Sequence, residues 1–343
     1  MNAIVNTAAT EQAEISYYLC GGTGTNIGAL LKETARTEVN KLAQMVALDA
    51  SGANKSKGLF PVERMRVDGN PDEAARGSGK VQSTHYNEQT EAYVAGVMTK
   101  HKPKAFSVIV CNDAGGTGSM LASLIIRYLA QRDLPFVLLL ISDFSSQVEM
   151  QNGVRTMRNI ANQTSADLLN RPIPFIHLVN TPENTRGEVN SLAIERLDLL
   201  SLFLTEGNEE MDYQDVKNYL NYSKHYGVPP ALSQIRFYDQ EGYTKYEGKV
   251  PVAVASLFES SDDISSRFPG CVIRTTGVFK PGVQKPKNVS EMHMIMDHGD
   301  ALKDLEGRIE KLDERKIETK NAFVPQKSLA TPKADGNGLS FDD

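Results

Sequence analysis

The sequence predicts an α/β fold in which a doubly wound parallel sheet is followed by a smaller α+β domain. Short apolar runs alternate with helix-like stretches in the first half of the 343 residues, which is typical of repeated strand–helix units. Two of these runs end directly in glycine-rich segments. Residues 187–205 are apolar on nearly every face toward the end of the segment, and such a helix is buried. We interpret it as a spine between two domains.

Strands and helices alternate regularly in the predicted first half. The strand candidates are residues 15–20, 45–50, 106–111, 135–142 and 174–179, and helices are expected over residues 28–44, 83–101, 120–131 and 149–169. Residues 135–142 (PFVLLLIS) are almost continuously apolar, as parallel strands covered on both faces are. Right-handed crossovers then bring the carboxyl ends of the strands to one edge of the sheet.

The second half predicts a smaller set of elements. A helix over residues 215–225 precedes strands at 250–257, 271–279 and 291–296, and a charged helix covers residues 300–320. That last helix has an apolar stripe at Leu302, Leu305, Ile309 and Leu312, because spacings of three and four residues fall on one helix face. Residues 325–343 are polar with Gly and Pro, so we expect a disordered tail.

Composition excludes several classes of function. The formal net charge is -6 and the pI is about 5.6, an acidic balance that argues against nucleic acid as the main partner. The three cysteines, Cys20, Cys111 and Cys271, cannot all pair with one another, which points to a reducing cytoplasm. Residues 1–14 show no secretory pattern, and no apolar stretch reaches the length of a membrane span. We therefore expect a cytoplasmic protein.

The first glycine-rich segment follows strand 15–20 and reads Gly21-Gly22-Thr23-Gly24-Thr25-Asn26. Such a turn at the start of a helix offers free backbone N–H groups and the positive end of the helix dipole, which together bind phosphate. NAD(P)-binding Rossmann proteins show the same pattern, and Asp49 would then bind a ribose. Glycines also simply permit a tight turn. This segment alone leaves these alternatives open.

A second segment, Asn112-Asp113-Ala114-Gly115-Gly116-Thr117-Gly118-Ser119, follows strand 106–111 and also precedes a helix. Two such segments on one parallel sheet can converge at its carboxyl edge. One dinucleotide does not require both, whereas the phosphates of a nucleoside triphosphate benefit from two. The hydroxyls of Thr117 and Ser119 add hydrogen-bond donors. The pair therefore favours a triphosphate site.

These segments resemble the phosphate loops of the tubulin/FtsZ superfamily. Residues 114–119 are similar to its signature loop, with Ala114 at the first glycine, and residues 76–79 (RGSG) fall where the family has a loop that senses the γ-phosphate. The phrases CGGTGTN and VNTPENTRG are similar to those of tubulin-like proteins of large bacteriophages. The resemblance implies nucleotide contacts from Gly21, Gly22, Thr23, Gly24, Thr25, Asn26, Asp49, Ser51, Gly77, Ser78, Gly79, Ala114, Gly115, Gly116, Thr117, Gly118, Ser119, Asn180, Arg186 and Asn190.

Three of these residues concern the base. Asn180 and Asn190 match two family asparagines that bind the guanine edge, to which an amide offers both a donor and an acceptor. Without the family, a turn asparagine and a helix-surface asparagine are the simpler interpretations. Arg186 stands where the family often has an aromatic residue stacked on the base, and a guanidinium plane can also stack there.

The resemblance implies that Asp212 and Asp215 are catalytic. The family motif is Asn-x-Asp-x-x-Asp, and here Glu210 replaces the Asn. In FtsZ-like filaments this loop enters the nucleotide pocket of the next subunit, where its carboxylates activate the attacking water. Taken locally, Asp-x-x-Asp at a helix start is a capping box, and both roles can coexist.

The implied protein is a GTPase, with GTP/GDP and Mg²⁺ as its ligands and no dedicated metal-ligand cluster, that polymerises head to tail. The implied domains are a flexible N-terminus (1–14), a nucleotide-binding domain (15–185), a central helix (186–206), an α+β domain (207–298), a C-terminal helix (299–324) and an acidic tail (325–343) that binds the neighbouring subunit. The phage resemblance adds a spindle that positions phage DNA or capsids in the infected bacterium. The alternatives are an NAD(P)-dependent oxidoreductase and a nucleotide-binding filament protein without hydrolysis.

Overall fold

One continuous ten-stranded sheet organises the chain. The computed structural model describes residues 15–66, 88–181, 183–205, 208–247, 250–264, 270–286 and 289–310. The strands are β1 (Ile15–Cys20), β2 (Gln44–Asp49), β3 (Val62–Arg64), β4 (Phe106–Asn112), β5 (Phe136–Asp143), β6 (Ile173–Asn180), β7 (Leu232–Asp239), β8 (Ala253–Phe258), β9 (Ile273–Val278) and β10 (Glu291–Asp297). Their order in the sheet is β3-β2-β1-β4-β5-β6-β7-β10-β8-β9.

The helices are α1 (Gly21–Thr34), α2 (Glu38–Leu42), α3 (Glu88–Lys100), α4 (Thr117–Ala130), α5 (Gln147–Gln163), α6 (Arg186–Leu204), α7 (Tyr213–Leu220), α8 (Ser223–Tyr226), α9 (Gln240–Thr244) and α10 (residues 301–310), with a 3-10 turn at Ser261–Asp263. Among the described residues, no helix combines the length and the apolar character that crossing a bilayer requires.

Strands β1 to β7 are all parallel, whereas β10 runs antiparallel to both β7 and β8. β1 and β4 are neighbours in the sheet, but the helices that follow them cover opposite faces. Ile27 of α1 packs with Leu19 in one apolar layer, and Ile125 of α4 packs with Tyr18 in the other. The helices after β1 and β4 therefore diverge to opposite faces, and this is the point in a doubly wound sheet where ligands bind. The predicted fold class is confirmed.

The spine helix α6 is buried as predicted, with Leu197 and every residue from 199 to 204 in the core. It also contains one buried acid. The carboxylate of Asp198 accepts hydrogen bonds from the backbone N–H of Arg36 at 2.9 Å and from the side-chain amide of Asn40 at 2.9 Å. Asn40 in turn accepts a hydrogen bond from the hydroxyl of Tyr17 on β1. This network joins the spine to the centre of the sheet.

Several predicted elements need correction. The prediction of a single helix over residues 28–44 is wrong, because α1 begins at Gly21, ends at Thr34 and is followed by α2. The helix over 215–225 is two helices, α7 and α8. Strands β3 and β7 were missed. β7 (LSQIRFYD) has polar residues at half of its positions and is buried only in part, so it lacks the apolar signal of a strand.

Of the remaining predictions, the helix over 149–169 ends early, at Gln163, and several others lie outside the described residues. Cys20 and Cys111 are buried. In the predicted helix 300–320, residues 301–310 are helical, and Leu305 is buried beside Leu302 and Ile309. Residues 1–14, 67–87 and 311–343, which include the expected flexible N-terminus, the RGSG loop and the tail, lie outside the described part of the chain.

Candidate functional site

The two glycine-rich segments meet backbone against backbone. Gly21 adopts φ +69°, and a Cβ there would lie 3.1 Å from the Cα of Gly118. A Cβ on Gly118 would lie 2.9 Å from the carbonyl oxygen of Cys20. Both positions therefore need glycine, the first for its left-handed backbone as well as for the contact. The prediction that the segments converge at one edge of the sheet is confirmed.

Helices α1 and α4 begin at this contact without side-chain caps. The N-cap residues, Cys20 and Gly116, make no capping hydrogen bond, and neither helix has an acidic residue in its first turn. In contrast, Ser146, Thr185 and Asp212 cap α5, α6 and α7, each of which has an acid in its first turn. Uncapped N–H groups and two aligned helix dipoles create a site for an anion.

A cavity of about 370 Å³ opens at these helix ends. Its lining includes many residues predicted to contact nucleotide, namely Gly22, Thr23, Asn26, Ala114, Gly115, Asn180, Arg186 and Asn190. It also includes residues that the sequence analysis did not assign to the nucleotide, namely Asn54, Asn112, Ile141, Asp143, Glu149 and Val189. The structure thus brings the loops after β1, β4, β5 and β6 and the start of α6 around one space.

The other predicted contacts do not line the cavity. Thr25 and Ser119 are fully buried, and their hydroxyls donate to backbone carbonyls, that of Gly21 at 2.9 Å and that of Gly116 at 3.2 Å. Gly116, Thr117 and Gly118 form the buried N-terminus of α4, and Gly24 packs against the backbone of β1 and β4. Gly77, Ser78 and Gly79 lie outside the described residues. For all the residues in this paragraph, contact with the nucleotide remains a prediction.

Asp49 supports the cavity indirectly. Its carboxylate is buried and accepts hydrogen bonds from the backbone N–H of Ser51 at 3.0 Å and the side-chain amide of Asn54 at 2.6 Å. Asn54, but neither Asp49 nor Ser51, lines the cavity. The carboxylate is therefore turned into its own loop, away from the place where a dinucleotide ribose would need it.

Two carboxylates, one at the end of β5 and one in the first turn of α5, line the cavity instead. Asp143 accepts a hydrogen bond from the backbone N–H of Ser145 at 3.0 Å, and Glu149 accepts one from the hydroxyl of Ser146 at 2.7 Å. These bonds fix the two acids to the short loop that joins β5 to α5. The Ser146-x-x-Glu149 spacing is typical of a capping box, and this pattern could have located the start of α5 from the sequence.

Asp113, near the start of the second glycine segment, is a buried acid. Asp113 accepts a hydrogen bond from Ser142, whose hydroxyl is 2.7 Å from Nε2 of His177. Burial raises the pKa of Asp113 to about 7, although the Ser142 hydrogen bond opposes it. Burial also lowers the pKa of His177 to about 4. Both groups therefore favour their uncharged forms, as buried titratable groups do.

The predicted catalytic acids lie at the other end of the sheet. Asp212 accepts a hydrogen bond from the backbone N–H of Asp215 at 2.8 Å, and Asp215 accepts one from that of Asp212 at 3.2 Å. The predicted capping box is confirmed. The ring of Tyr213 contacts that of Phe106, the first residue of β4, whereas Asn112 at the last position lines the cavity. The length of β4, about 20 Å, therefore lies between the start of α7 and the cavity of the same chain.

Comparison with known proteins agrees with this arrangement. No protein-family model matches the chain. A phage tubulin-like protein of Pseudomonas phage phiKZ is 24% identical over 341 residues, which cover 95% of this chain and 97% of the relative. A phage tubulin-like protein of Pseudomonas phage PhiPA3 is 25% identical over 265 residues, covering 76% and 78%.

Solved structures decide the fold. A protofilament of TubZ from bacteriophage PhiKZ superposes with a TM-score of 0.76 at 19% identity, covering 96% of this chain and 99% of the other. The phage tubulin PhuZ with GDP gives 0.74 at 17% identity, covering 93% and 96%. FtsZ of M. jannaschii gives 0.56 at 16% identity, covering 84% and 91%.

The chain has the tubulin/FtsZ fold and is a homologue of the phage tubulin-like proteins.

In this tubulin/FtsZ fold, the observed cavity combines uncapped helix ends, amides, a guanidinium and two acids. The alternative of an NAD(P)-dependent Rossmann oxidoreductase required Asp49 to face the ligand, and the carboxylate faces Ser51 and Asn54 instead. The geometry therefore favours a phosphate-rich ligand that spans both glycine segments.

Proposed function

We propose that this protein binds GTP in the cavity between the two glycine segments, polymerises head to tail and hydrolyses GTP at the contact between successive copies. One observation supports this above all others. The phosphate-binding helix ends and the paired acids lie at opposite ends of strand β4. A complete catalytic site then needs the cavity of one copy and the acids of the next, and such a heterologous contact builds a filament.

Each part of the nucleotide has partners in the cavity lining. The backbone N–H groups that open α1 and α4 bind the phosphates. The amides of Asn180 and Asn190 hydrogen-bond the base, and the guanidinium of Arg186 stacks on it. Asp143 and Glu149 accept hydrogen bonds from the ribose hydroxyls. Among the described residues no cluster of His, Cys, Asp or Glu forms a cation site, so Mg²⁺ is bound mainly through phosphate oxygens.

Asp212 and Asp215 of the next copy act on the attacking water. The capping box uses Oδ1 of Asp212 and Oδ2 of Asp215, which leaves the second oxygen of each carboxylate outside it. The box fixes the loop at the start of α7, and the exposed Asp212 is open to a neighbouring molecule. A carboxylate held in this way can orient the water and accept its proton.

The relatives support the same assignment. The sequence relatives are phage tubulin-like proteins, and two of the solved neighbours are a protofilament and a filament. We infer that this chain also forms cytoskeletal filaments in the cytoplasm of an infected bacterium, where a spindle would position phage DNA or capsids. In this proposal the tail beyond residue 325 binds the neighbouring subunit.

Phosphate release measured against protein concentration tests the proposal. If the catalytic site forms only between copies, the rate per subunit rises steeply above the concentration at which pelletable filaments appear with GTP. A rate per subunit that is independent of concentration would contradict hydrolysis at the contact. A fluorescent GTP analogue displaced by NADH but not by GTP would contradict the nucleotide assignment.

A second candidate is a filament protein that binds GTP without hydrolysing it. Glu210 favours it, because the residue is exposed just before Asp212, where the family has an asparagine. A third carboxylate raises the negative charge that faces the incoming phosphates. Filaments that form with GTP while releasing no phosphate would favour this candidate.

A further inference from the structure

The guanidinium of Arg171 is buried without a hydrogen bond at the amino-terminal edge of the sheet, just before β6. Its side chain is 5% exposed, and its closest carboxylate oxygen, Oδ1 of Asp133, is 3.8 Å from Nη1. None of its three nitrogens has a hydrogen-bond partner in the described part of the chain. A guanidinium has five N–H donors, and leaving buried donors unpaired is unfavourable. The site therefore lacks an acceptor.

A pocket of about 500 Å³ opens onto Arg171. Asn170, Asp133 and Lys224 also line it, together with the chain at 227–230. Lys217 and Lys224 lie 3.0 Å and 2.8 Å from Asp133. Three cations thus share one carboxylate, a local excess of two positive charges. Burial lowers the pKa of Arg171 only to about 10, so the guanidinium stays charged at neutral pH, and the pocket suits an anion.

The position of the pocket indicates where that anion comes from. Lys217 is on α7, the helix that begins with Tyr213 directly after Asp212. The pocket and the paired acids therefore share one end of the molecule. The other end carries the cavity with Asp143 and Glu149 in its lining, and Glu183 and Glu188 are exposed beside it. The basic pocket, which lies beside the paired acids, is electrostatically complementary to the exposed carboxylates of the cavity-bearing end in a head-to-tail stack.

We propose that the Arg171 pocket binds a carboxylate side chain from the cavity-bearing end of a second copy of this chain. This inference rests on the proposed head-to-tail assembly and adds a partner contact to it. The incoming carboxylate forms charge-assisted hydrogen bonds with Arg171 and Lys224. Such a contact completes the hydrogen bonding of Arg171 only in the filament and makes longitudinal assembly sensitive to salt.

Substitution tests the contact. Arg171→Gln raises the critical concentration for GTP-dependent assembly by roughly tenfold or more, since it removes one side of a desolvated charge pair. Lys224→Gln, at a more exposed position, raises the critical concentration by a smaller factor. Because its side chain is not buried, this variant tests the same pocket even if Arg171→Gln folds poorly. The matched control is Arg127→Gln, which removes an exposed charge on α4 and leaves the critical concentration unchanged. Nucleotide affinity and melting temperature of the unassembled Arg171→Gln protein stay at the wild-type values.

The outcomes separate this inference from the proposed function. If wild-type protein forms no filaments with GTP, both fail together. If wild type assembles and Arg171→Gln assembles at the same concentration, the head-to-tail proposal stands and the Arg171 contact is wrong. If Arg171→Gln lowers the melting temperature of the unassembled protein, its role is internal packing, and the contact is again wrong.

Cross-linking identifies the occupant. A carbodiimide joins the amine of Lys224 to a carboxylate in contact with it, and mixed heavy-isotope and normal copies distinguish cross-links between chains from those within one chain. We expect links from Lys224 to Glu183 or Glu188 of another copy, formed only in filaments. Links between chains that lead to acids beyond residue 325 would instead assign the pocket to the C-terminal tail and overturn the proposal.

Discussion

The ring of Tyr213 lies 5.2 Å from the ring of Phe106, measured between centroids. Phe106 begins β4, and Asn112, the last residue of that strand, lines the candidate nucleotide cavity. The contact therefore fixes the start of α7, with Asp212 and Asp215, at the end of the sheet away from the cavity. The proposed division of one catalytic site between two copies depends on this contact.

Substitutions at Asp212 separate catalysis from capping. Asp212→Asn keeps a good N-cap residue but removes the carboxylate, so we expect filaments and a near-normal melting temperature while GTP turnover falls by roughly 10²-fold or more. Asp212→Ala also removes the cap and lowers the free energy of unfolding by about 1 kcal/mol. Phosphate release and thermal melting measure the two effects. Normal turnover in Asp212→Asn would remove this residue from the mechanism.

Substitution of Asp215, the second acid of the proposed pair, also tests the catalytic assignment. We expect Asp215→Ala to assemble with GTP and to release little phosphate, because its filaments keep the nucleotide but lack one of the two acids. Mixing it with wild-type protein should lower turnover in proportion to the contacts it occupies. Normal phosphate release by filaments of Asp215→Ala alone would remove Asp215 from the mechanism.

Gly21→Ala tests the contact between the two glycine segments. The left-handed backbone at φ +69° and the approach to Gly118 both oppose a Cβ, so we expect a loss of about 1–2 kcal/mol of stability and markedly weaker binding of a fluorescent GTP analogue. Gly96→Ala is the matched control, because Gly96 is exposed on α3 with open space around its Cβ position. That variant should bind normally and melt at the same or a higher temperature. Equal binding by both variants would contradict the role of Gly21.

Asp113 should make stability depend on pH. Burial raises its pKa from 3.8 to about 7 in the folded protein, so its protonated form contributes stability that is complete below pH 4 and is lost as the pH rises to about 7. Asp113→Asn removes this dependence. The melting temperature of the wild type relative to that of the variant should fall between pH 4 and pH 7. His177 is present in both proteins, so its opposite dependence cancels. A constant difference across this range would show that Asp113 is ionised throughout.

The acid in the spine helix should be essential for stability. Asp198 accepts hydrogen bonds from Arg36 and Asn40 in a buried site, and Asp198→Ala leaves these donors unpaired, at a cost of about 3 kcal/mol. Glu195→Ala on the same helix removes an exposed carboxylate and should change stability by less than about 0.5 kcal/mol. Urea unfolding compares the two. Equal losses would contradict the special role of the Asp198 network.

The sequence predicted most of the parallel sheet, because its strands are buried on both faces and read as apolar runs. β1 was predicted with its observed bounds, and β4, β5 and β6 within about two residues at each end. The sequence did not predict β7, because this strand is stabilised by its pairing with β6 and β10 and has no apolar pattern of its own. It also placed the first helix after the glycines, although Gly21 is the first residue of α1.

The sequence by itself determined the fold class and the two glycine segments, because apolar periodicity and glycine content are local properties of the chain. Only the tertiary structure decided that Gly21 touches Gly118, that Asp49 binds Asn54 and not a ligand, and that Arg171 faces an open pocket. These relationships join residues that are far apart in the chain. They follow from the order of strands in the sheet and from the packing of helices on its two faces, neither of which a local pattern contains.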